Sequence, residues 1–222
     1  MIHQPQAPRE PVETPVSSSW SYLDPVILPL IVGRSVLDVG CGMGRWGALI
    51  ESNYWEAGLE RAPSVDGCDA FVPNVQHCRR RGAYQRVWAQ TMPSRLDGTW
   101  DTLLACELIE HIPDEQVTET LDLLEAAAAN RVIVSTPNSP MYRPGHETPF
   151  GFNALEAHVS YVSRSMLARR GYRIYGAGFG RYNSALALRA KRWRIRRSLA
   201  SVPYQLPSIA ETIVAVKDLT LA

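Results

Sequence analysis

From position 35 onward, short apolar runs alternate with stretches long enough to be helices. The apolar runs predict strands at 35–39, 65–68, 85–89, 102–106, 132–135, 173–177 and 212–217. Between them the pattern predicts helices at 45–52, 74–81, 114–128 and 163–170. The 114–128 helix is the best signalled. Pro113 precedes it, Asp114 and Glu115 open it, and Val117, Leu121, Leu124 and Ala128 recur at helical spacing. Gly171 follows the last helix, where a left-handed residue suits a helix C-terminus. Strand and helix in alternation indicate an α/β fold with a parallel sheet built from β-α-β units.

The pattern fails at both ends and once in the middle. Pro5, Pro8, Pro11 and Pro15, followed by Ser17, Ser18 and Ser19, cannot hold a helix and have little to bury, so residues 1–19 read as a mobile arm. Apolar contact starts at Trp20 and continues through Tyr22, Leu23, Val26, Ile27, Leu28 and Leu30, so residues 20–222 are expected to form one domain. Residues 137–157 read as a long polar loop.

Composition excludes more than it selects. Apolar residues make up 45% and charged residues 20%, which sets aside collagen-like, disordered and membrane classes. No run approaches the roughly 20 apolar residues that cross a bilayer, and no leader pattern opens the chain, so a cytoplasmic location without membrane association is expected. Cys41, Cys68, Cys78 and Cys106 lack zinc-type spacing and read as reduced core residues. Net charge is +1, yet Arg189, Lys191, Arg192, Arg194, Arg196 and Arg197 place six cations within nine residues. That segment suits an anionic substrate, a nucleic acid or a partner surface, or equally a solvated helix face. Trp193, Ile195 and Leu199 alternate with its arginines, so a sheet-edge cover or a homodimer interface explains it without any polyanion.

Candidate chemistry begins where the first strand runs into glycines, Val36-Leu-Asp-Val-Gly-Cys-Gly-Met-Gly. Glycines at such a turn let the backbone approach a ligand closely. Asp38 is costly in an apolar strand unless something satisfies it, and a ligand ammonium is one candidate. Gly42, Gly44 and Gly47 also match the dinucleotide pattern G-x-G-x-x-G, which leaves a nicotinamide cofactor open. The second strand ends in Asp69, where a carboxylate accepts from both ribose hydroxyls.

With Asp38, Gly40, Gly42 and Gly44 in place, the chain resembles the class I S-adenosylmethionine-dependent methyltransferases. The resemblance implies a Rossmann-like, doubly wound sheet of seven strands with the last antiparallel, and S-adenosylmethionine as cofactor. It carries cofactor contacts to Asp38, Gly40, Cys41, Gly42, Gly44, Asp69, Ala70, Phe71, Gln90, Thr91 and Cys106. Gln90-Thr91 stands where the family more often has an acid that reads the adenine amino group.

Glu107-Leu-Ile-Glu-His111 resembles the E-x-x-E-H motif of small-molecule methyltransferases. Glu107, Glu110 and His111 would emerge beyond the carboxyl end of the fourth strand, where open α/β sheets bind ligands. His158, in a segment resembling the family's H-x-S-x-aromatic, is the leading candidate base, with His111 as the substitute. His146, Glu147 and Glu156 lie in the same loop, and metal-dependent sugar methyltransferases of the superfamily imply Mg2+ on a substrate diol, although no spacing here is metal-specific. Trp20, Tyr22, Trp46, Tyr142 and Tyr161 are candidate pocket walls.

The expected activity is O-methylation of a small polar molecule, a sugar or glycan, or a natural product, because the fourth-strand motif is not the Asn/Asp-Pro-Pro-aromatic signature of nucleobase amine methylation. Two alternatives stand beside it: an NAD(P)-dependent oxidoreductase, and a basic nucleic-acid-associated module that uses the arginine-rich segment.

Overall fold

The computed structural model describes residues 20–56, 62–179 and 202–219. The proline-rich arm and the arginine-rich segment both lie outside the described residues. The strands are β1 (Ser35–Val39), β2 (Ser64–Asp69), β3 (Arg86–Ala89), β4 (Trp100–Cys106), β5 (Ala128–Pro137), β6 (His146–Thr148), β7 (Gly151–Asn153), β8 (Arg173–Phe179) and β9 (Ala210–Asp218). Seven of them form one sheet in the order β3-β2-β1-β4-β5-β9-β8. The pairs from β3 to β5 are parallel, and β9 runs against both of its neighbours. This is the expected seven-stranded α/β sheet with its last strand antiparallel.

The helices are α1 (Asp24–Ile27), α2 (Arg45–Glu56), α3 (Val72–Arg81), α4 (Asp114–Ala127), α5 (Arg164–Arg169) and α6 (Val202–Gln205). Strand side chains alternate between two faces. Leu37, Leu103, Val132, Val134 and Ile213 pack with Val117, Leu121 and Leu124 of α4 and Leu167 of α5. Val36, Leu104, Ile133 and Val214 face the other way, onto Leu23, Ile27, Trp46 and Ile50 of the N-terminal turns and α2. Both layers are therefore anchored on the central strands, and all four cysteines are buried and unpaired.

The largest departures from the sequence-based expectation fall at the start of β5 and in the long loop. Alanine-rich 126–129 continues the helical pattern, but α4 stops at Ala127 and Ala128 is already extended, pairing with Trp100. Sheet pairing here overrides alanine's helix propensity. The long loop also contains structure, because β6 and β7 pair as a hairpin. Its turn is built on Thr148, whose hydroxyl accepts from Phe150 N at 3.1 Å and donates to the Gly151 carbonyl at 2.7 Å, with Gly151 at φ 101°.

Candidate active site

The carboxyl ends of β1, β2, β4 and β5 open on a cleft of about 330 Å3, a size suited to a small ligand. Its floor is the turn after β1. Gly40, Gly42 and Gly44 take φ of 73°, 53° and 90°, left-handed values that side chains resist. A Cβ on Gly40 would also meet the Leu108 side chain at 2.9 Å. Gly47, the last glycine of the dinucleotide-like pattern, serves packing. A Cβ there would lie 2.2 Å from the Ala83 carbonyl oxygen, so α2 sits close to the chain leaving α3 only because this position is bare.

Asp69 forms one wall. Its Oδ2 accepts from Gly42 N at 2.8 Å, and its Oδ1 accepts from Phe71 N at 2.8 Å and Asn74 Nδ2 at 3.3 Å. Burial pushes its pKa up while these three donors pull it down. Asp38 lies beneath the turn and is not part of the cleft wall. One oxygen accepts from Tyr84 Oη at 2.6 Å, and Oδ1 is buried with no hydrogen-bond partner. Burial pushes the Asp38 carboxyl up to about 7 despite the Tyr84 hydrogen bond. The expected contact between this unpartnered oxygen and a ligand ammonium therefore requires the ligand to reach below the glycine turn.

Of the other expected cofactor residues, Cys41, Ala70 and Cys106 line the cleft, whereas Phe71, Gln90 and Thr91 do not. Gln90 is engaged locally, accepting from Trp88 Nε1 at 3.0 Å and donating to the Arg95 carbonyl at 3.2 Å.

The opposite wall carries the acid-rich motif. Among the described residues other than glycine, Glu107 alone has a left-handed φ, 54°. Such a backbone costs about 1 kcal/mol or more and persists where its surroundings hold it. Ser135 does so here. The Glu107 N–H donates to the Ser135 carbonyl at 3.0 Å and to its hydroxyl at 3.1 Å, and that hydroxyl donates to Glu107 Oε1 at 2.9 Å. Burial raises the Glu107 carboxyl to about 7, with the Ser135 hydrogen bond opposing the shift.

Glu110 is 2% exposed, and neither carboxylate oxygen has a hydrogen-bond partner of good geometry. Burial, joined by the charge of Glu107, holds its pKa well above the usual carboxylate range, and its own backbone N–H and the Thr136 hydroxyl moderate the effect. Its carbonyl anchors the next segment, accepting from Val159 N at 2.9 Å and Ser160 N at 3.1 Å, while the Ser160 hydroxyl donates to the Ile109 carbonyl at 2.9 Å.

That anchor brings His158 beside His111. Their rings meet edge to face with centroids 4.8 Å apart. His111 Nδ1 lies 3.0 Å from the Ala157 carbonyl, so that nitrogen carries the proton. Desolvation by burial lowers both imidazoles, His158 to about 4, with the charge of Arg143 acting in the same sense. Burial thus keeps His158 neutral at pH 7 and weakens it as a proton acceptor, while burial moves the Glu107 carboxyl toward neutral pH.

Trp20, Tyr22, Trp46, His146 and Glu156 also line the cleft; Tyr142, Tyr161 and Glu147 do not. Sequence reasoning missed Arg143, Glu211 and Thr212. Thr212 shares a 3.1 Å hydrogen bond with the Tyr22 hydroxyl. The signal was available: an antiparallel last strand brings its first residues to the carboxyl ends of the parallel strands. The expected Mg2+ finds no support. Among the described residues, the cluster of potential metal donors is Glu110, His111 and His158, two of them nitrogen ligands, whereas Mg2+ takes oxygen.

Known proteins resemble the chain in family and fold. Residues 21–174 match a family model described as a methyltransferase domain. A probable S-adenosylmethionine-dependent methyltransferase of Mycolicibacterium smegmatis is 27% identical over 84% of this chain and 73% of its own length. A ubiquinone biosynthesis O-methyltransferase of Albidiferax ferrireducens is 29% identical, but the match covers only 45% of this chain and 38% of that protein. The magnesium protoporphyrin IX methyltransferase of Synechocystis PCC 6803, solved with bound S-adenosylhomocysteine, shares the fold, with a TM-score of 0.54 at 15% identity over 89% of this chain and 82% of that one.

Proposed function

The chain belongs to the methyltransferase-domain family, and on that premise we propose that it transfers a methyl group from S-adenosylmethionine to a hydroxyl of a small polar acceptor, with sugars, glycans and ring-bearing natural products as the acceptor classes. One observation carries the reading. Asp69 and the glycine turn line the same cleft as Glu107, His111 and His158, which supports reading it as a nucleoside seat beside a proton-handling wall.

S-adenosylmethionine supplies an electrophilic methyl on a sulfonium. Everything else falls to this chain. Asp69 accepts from ribose hydroxyls, the turn at Gly40 to Gly44 leaves room for the backbone to approach, and Asp38 offers its unpartnered oxygen to the amino-acid tail. In-line displacement needs the nucleophile held about 3 Å from the methyl carbon with water excluded. Trp20, Tyr22 and Leu155 supply apolar cover at the cleft, and Glu107 takes the hydroxyl proton. His111 and His158 position the acceptor at that end of the cleft.

A hydroxyl acceptor is supported by the O-methyltransferase names of the ubiquinone-type relatives. No described helix is long and apolar enough to cross a membrane. We take residues 20–222 to act as one domain working in the cytoplasm.

The test is a screen of hydroxylated metabolites for S-adenosylhomocysteine release by the full chain. Release dependent on one acceptor class supports the reading. If no acceptor elicits release while NAD(H) binds at micromolar concentration, the oxidoreductase alternative takes its place.

A further inference from the structure

We propose that Glu110, His111 and His158 form a site for one divalent transition-metal ion of the zinc type, placed at the acceptor end of the cleft. One ligand atom from each of the three residues lies within 4.8 Å of the others. That spread is close enough for modest side-chain adjustment to bring them onto a single ion with bonds near 2 Å.

Three features separate this cluster from an ordinary polar patch. The first is Glu110, which is 2% exposed with neither oxygen hydrogen-bonded in good geometry. A buried carboxyl whose donors, its own N–H and the Thr136 hydroxyl, are poorly aligned is costly, and a cation relieves the cost directly. The second is the tethering of both imidazoles. His111 Nδ1 is held by the Ala157 carbonyl at 3.0 Å, and a ring nitrogen of His158 is held by the Met141 carbonyl. A backbone carbonyl on one ring nitrogen fixes the tautomer and ring orientation, and leaves the other nitrogen as the donor pair for a metal. The third is where that freedom lies: all three residues line the same cleft, which leaves further coordination positions open to an acceptor or water.

The donor set decides the metal. Two imidazoles and one carboxylate suit Zn2+, Fe2+ or Co2+, while Mg2+ prefers six oxygens in near-octahedral geometry. Binding of the ion stands on the three side chains alone; its use in catalysis rests on the methyltransferase reading. An ion here takes the acceptor hydroxyl as a further ligand and lowers its pKa. The hydroxyl proton then passes to Glu107, the oxygen forms the bond to the methyl carbon, and the bond from carbon to sulfur breaks with its electron pair remaining on sulfur as a neutral thioether.

The experiment strips the full chain with a chelator, removes the chelator, and titrates Zn2+ against a fluorescent zinc indicator, with Mg2+ in parallel and Co2+ as an absorbance probe. One Zn2+ should bind per chain at least 100-fold more tightly than Mg2+, and Co2+ should show the visible bands of a site with nitrogen ligands. Glu110→Gln and His158→Ala should each weaken Zn2+ binding at least 30-fold, whereas His146→Ala should leave it unchanged. S-adenosylhomocysteine binding by the same stripped proteins reports whether each variant is folded, and reads the methyltransferase proposal separately from the metal. His158→Gln replaces His158→Ala if the latter fails to fold. Absence of stoichiometric Zn2+ binding, a preference for Mg2+, or equal binding by the wild type and both triad variants overturns the site. Loss of binding in His146→Ala overturns the ligand assignment.

Discussion

Asp38→Asn isolates the electrostatic cost of the carboxyl beneath the glycine turn. In the folded chain burial lifts this group from its ordinary 3.8 to about 7. The unfolded chain therefore releases the proton first, and between those two pH values the folded state holds more protons than the unfolded one. Stability from this group is full below pH 4, falls as pH rises, and levels off above about 7. At about 1.4 kcal/mol per pH unit the whole interval is worth about 4 kcal/mol, of which about 3 kcal/mol falls between pH 5 and pH 8. Asparagine keeps an oxygen for the Tyr84 hydroxyl and cannot ionise, so its stability lacks this slope. Urea unfolding of both proteins across pH 5 to 8, without ligand, should show the variant gaining on the wild type by about 3 kcal/mol, or about 1.5 M in midpoint for a slope near 2 kcal/mol/M. On the proposed contact of this oxygen with the ligand ammonium, the same variant should bind S-adenosylhomocysteine about 10-fold or more weakly. A stability difference that stays constant with pH to within about 0.5 kcal/mol would refute the reasoning.

Other substitutions separate the walls of the cleft. Glu107→Gln should lower turnover about 100-fold in a homocysteine-release assay, with S-adenosylhomocysteine affinity within a factor of two, because general-base contributions are of that order. His158→Ala should likewise reduce turnover and spare cofactor affinity; full activity would remove His158 from the acceptor side altogether. Gly47→Ala forces a Cβ against the Ala83 carbonyl oxygen at 2.2 Å. Thermal unfolding should register a loss of about 1 to 3 kcal/mol, the usual cost of overpacking.

Strand placement was legible because each strand of the large sheet is a short apolar run bounded by a break, and β1 begins and ends where the pattern put it. The ends of α4 and β5 were not, because 126–129 is alanine-rich and only the pairing of Ala128 with Trp100 decides its state. The part of the cleft formed by Asp69 and the glycines was readable, because those residues lie close together in sequence. The opposite part was less so. Glu211 and Thr212 reach the cleft only through the reversed direction of β9, and the hairpin that carries His146 depends on a Thr-Pro-Phe-Gly turn inside a stretch that otherwise reads as loop. The protonation properties of His158 were illegible for the same reason. An isolated imidazole titrates near 6.5, and burial beside Arg143 and His111 moves this one to about 4.

Calorimetric titration of S-adenosylhomocysteine into the full chain, with Asp69→Asn alongside, tests the nucleoside seat most directly. The expected result is one site per chain, weakened at least 10-fold by the substitution, with no heat from NADH. Silence toward S-adenosylhomocysteine, or micromolar binding of NADH in its place, would contradict the account.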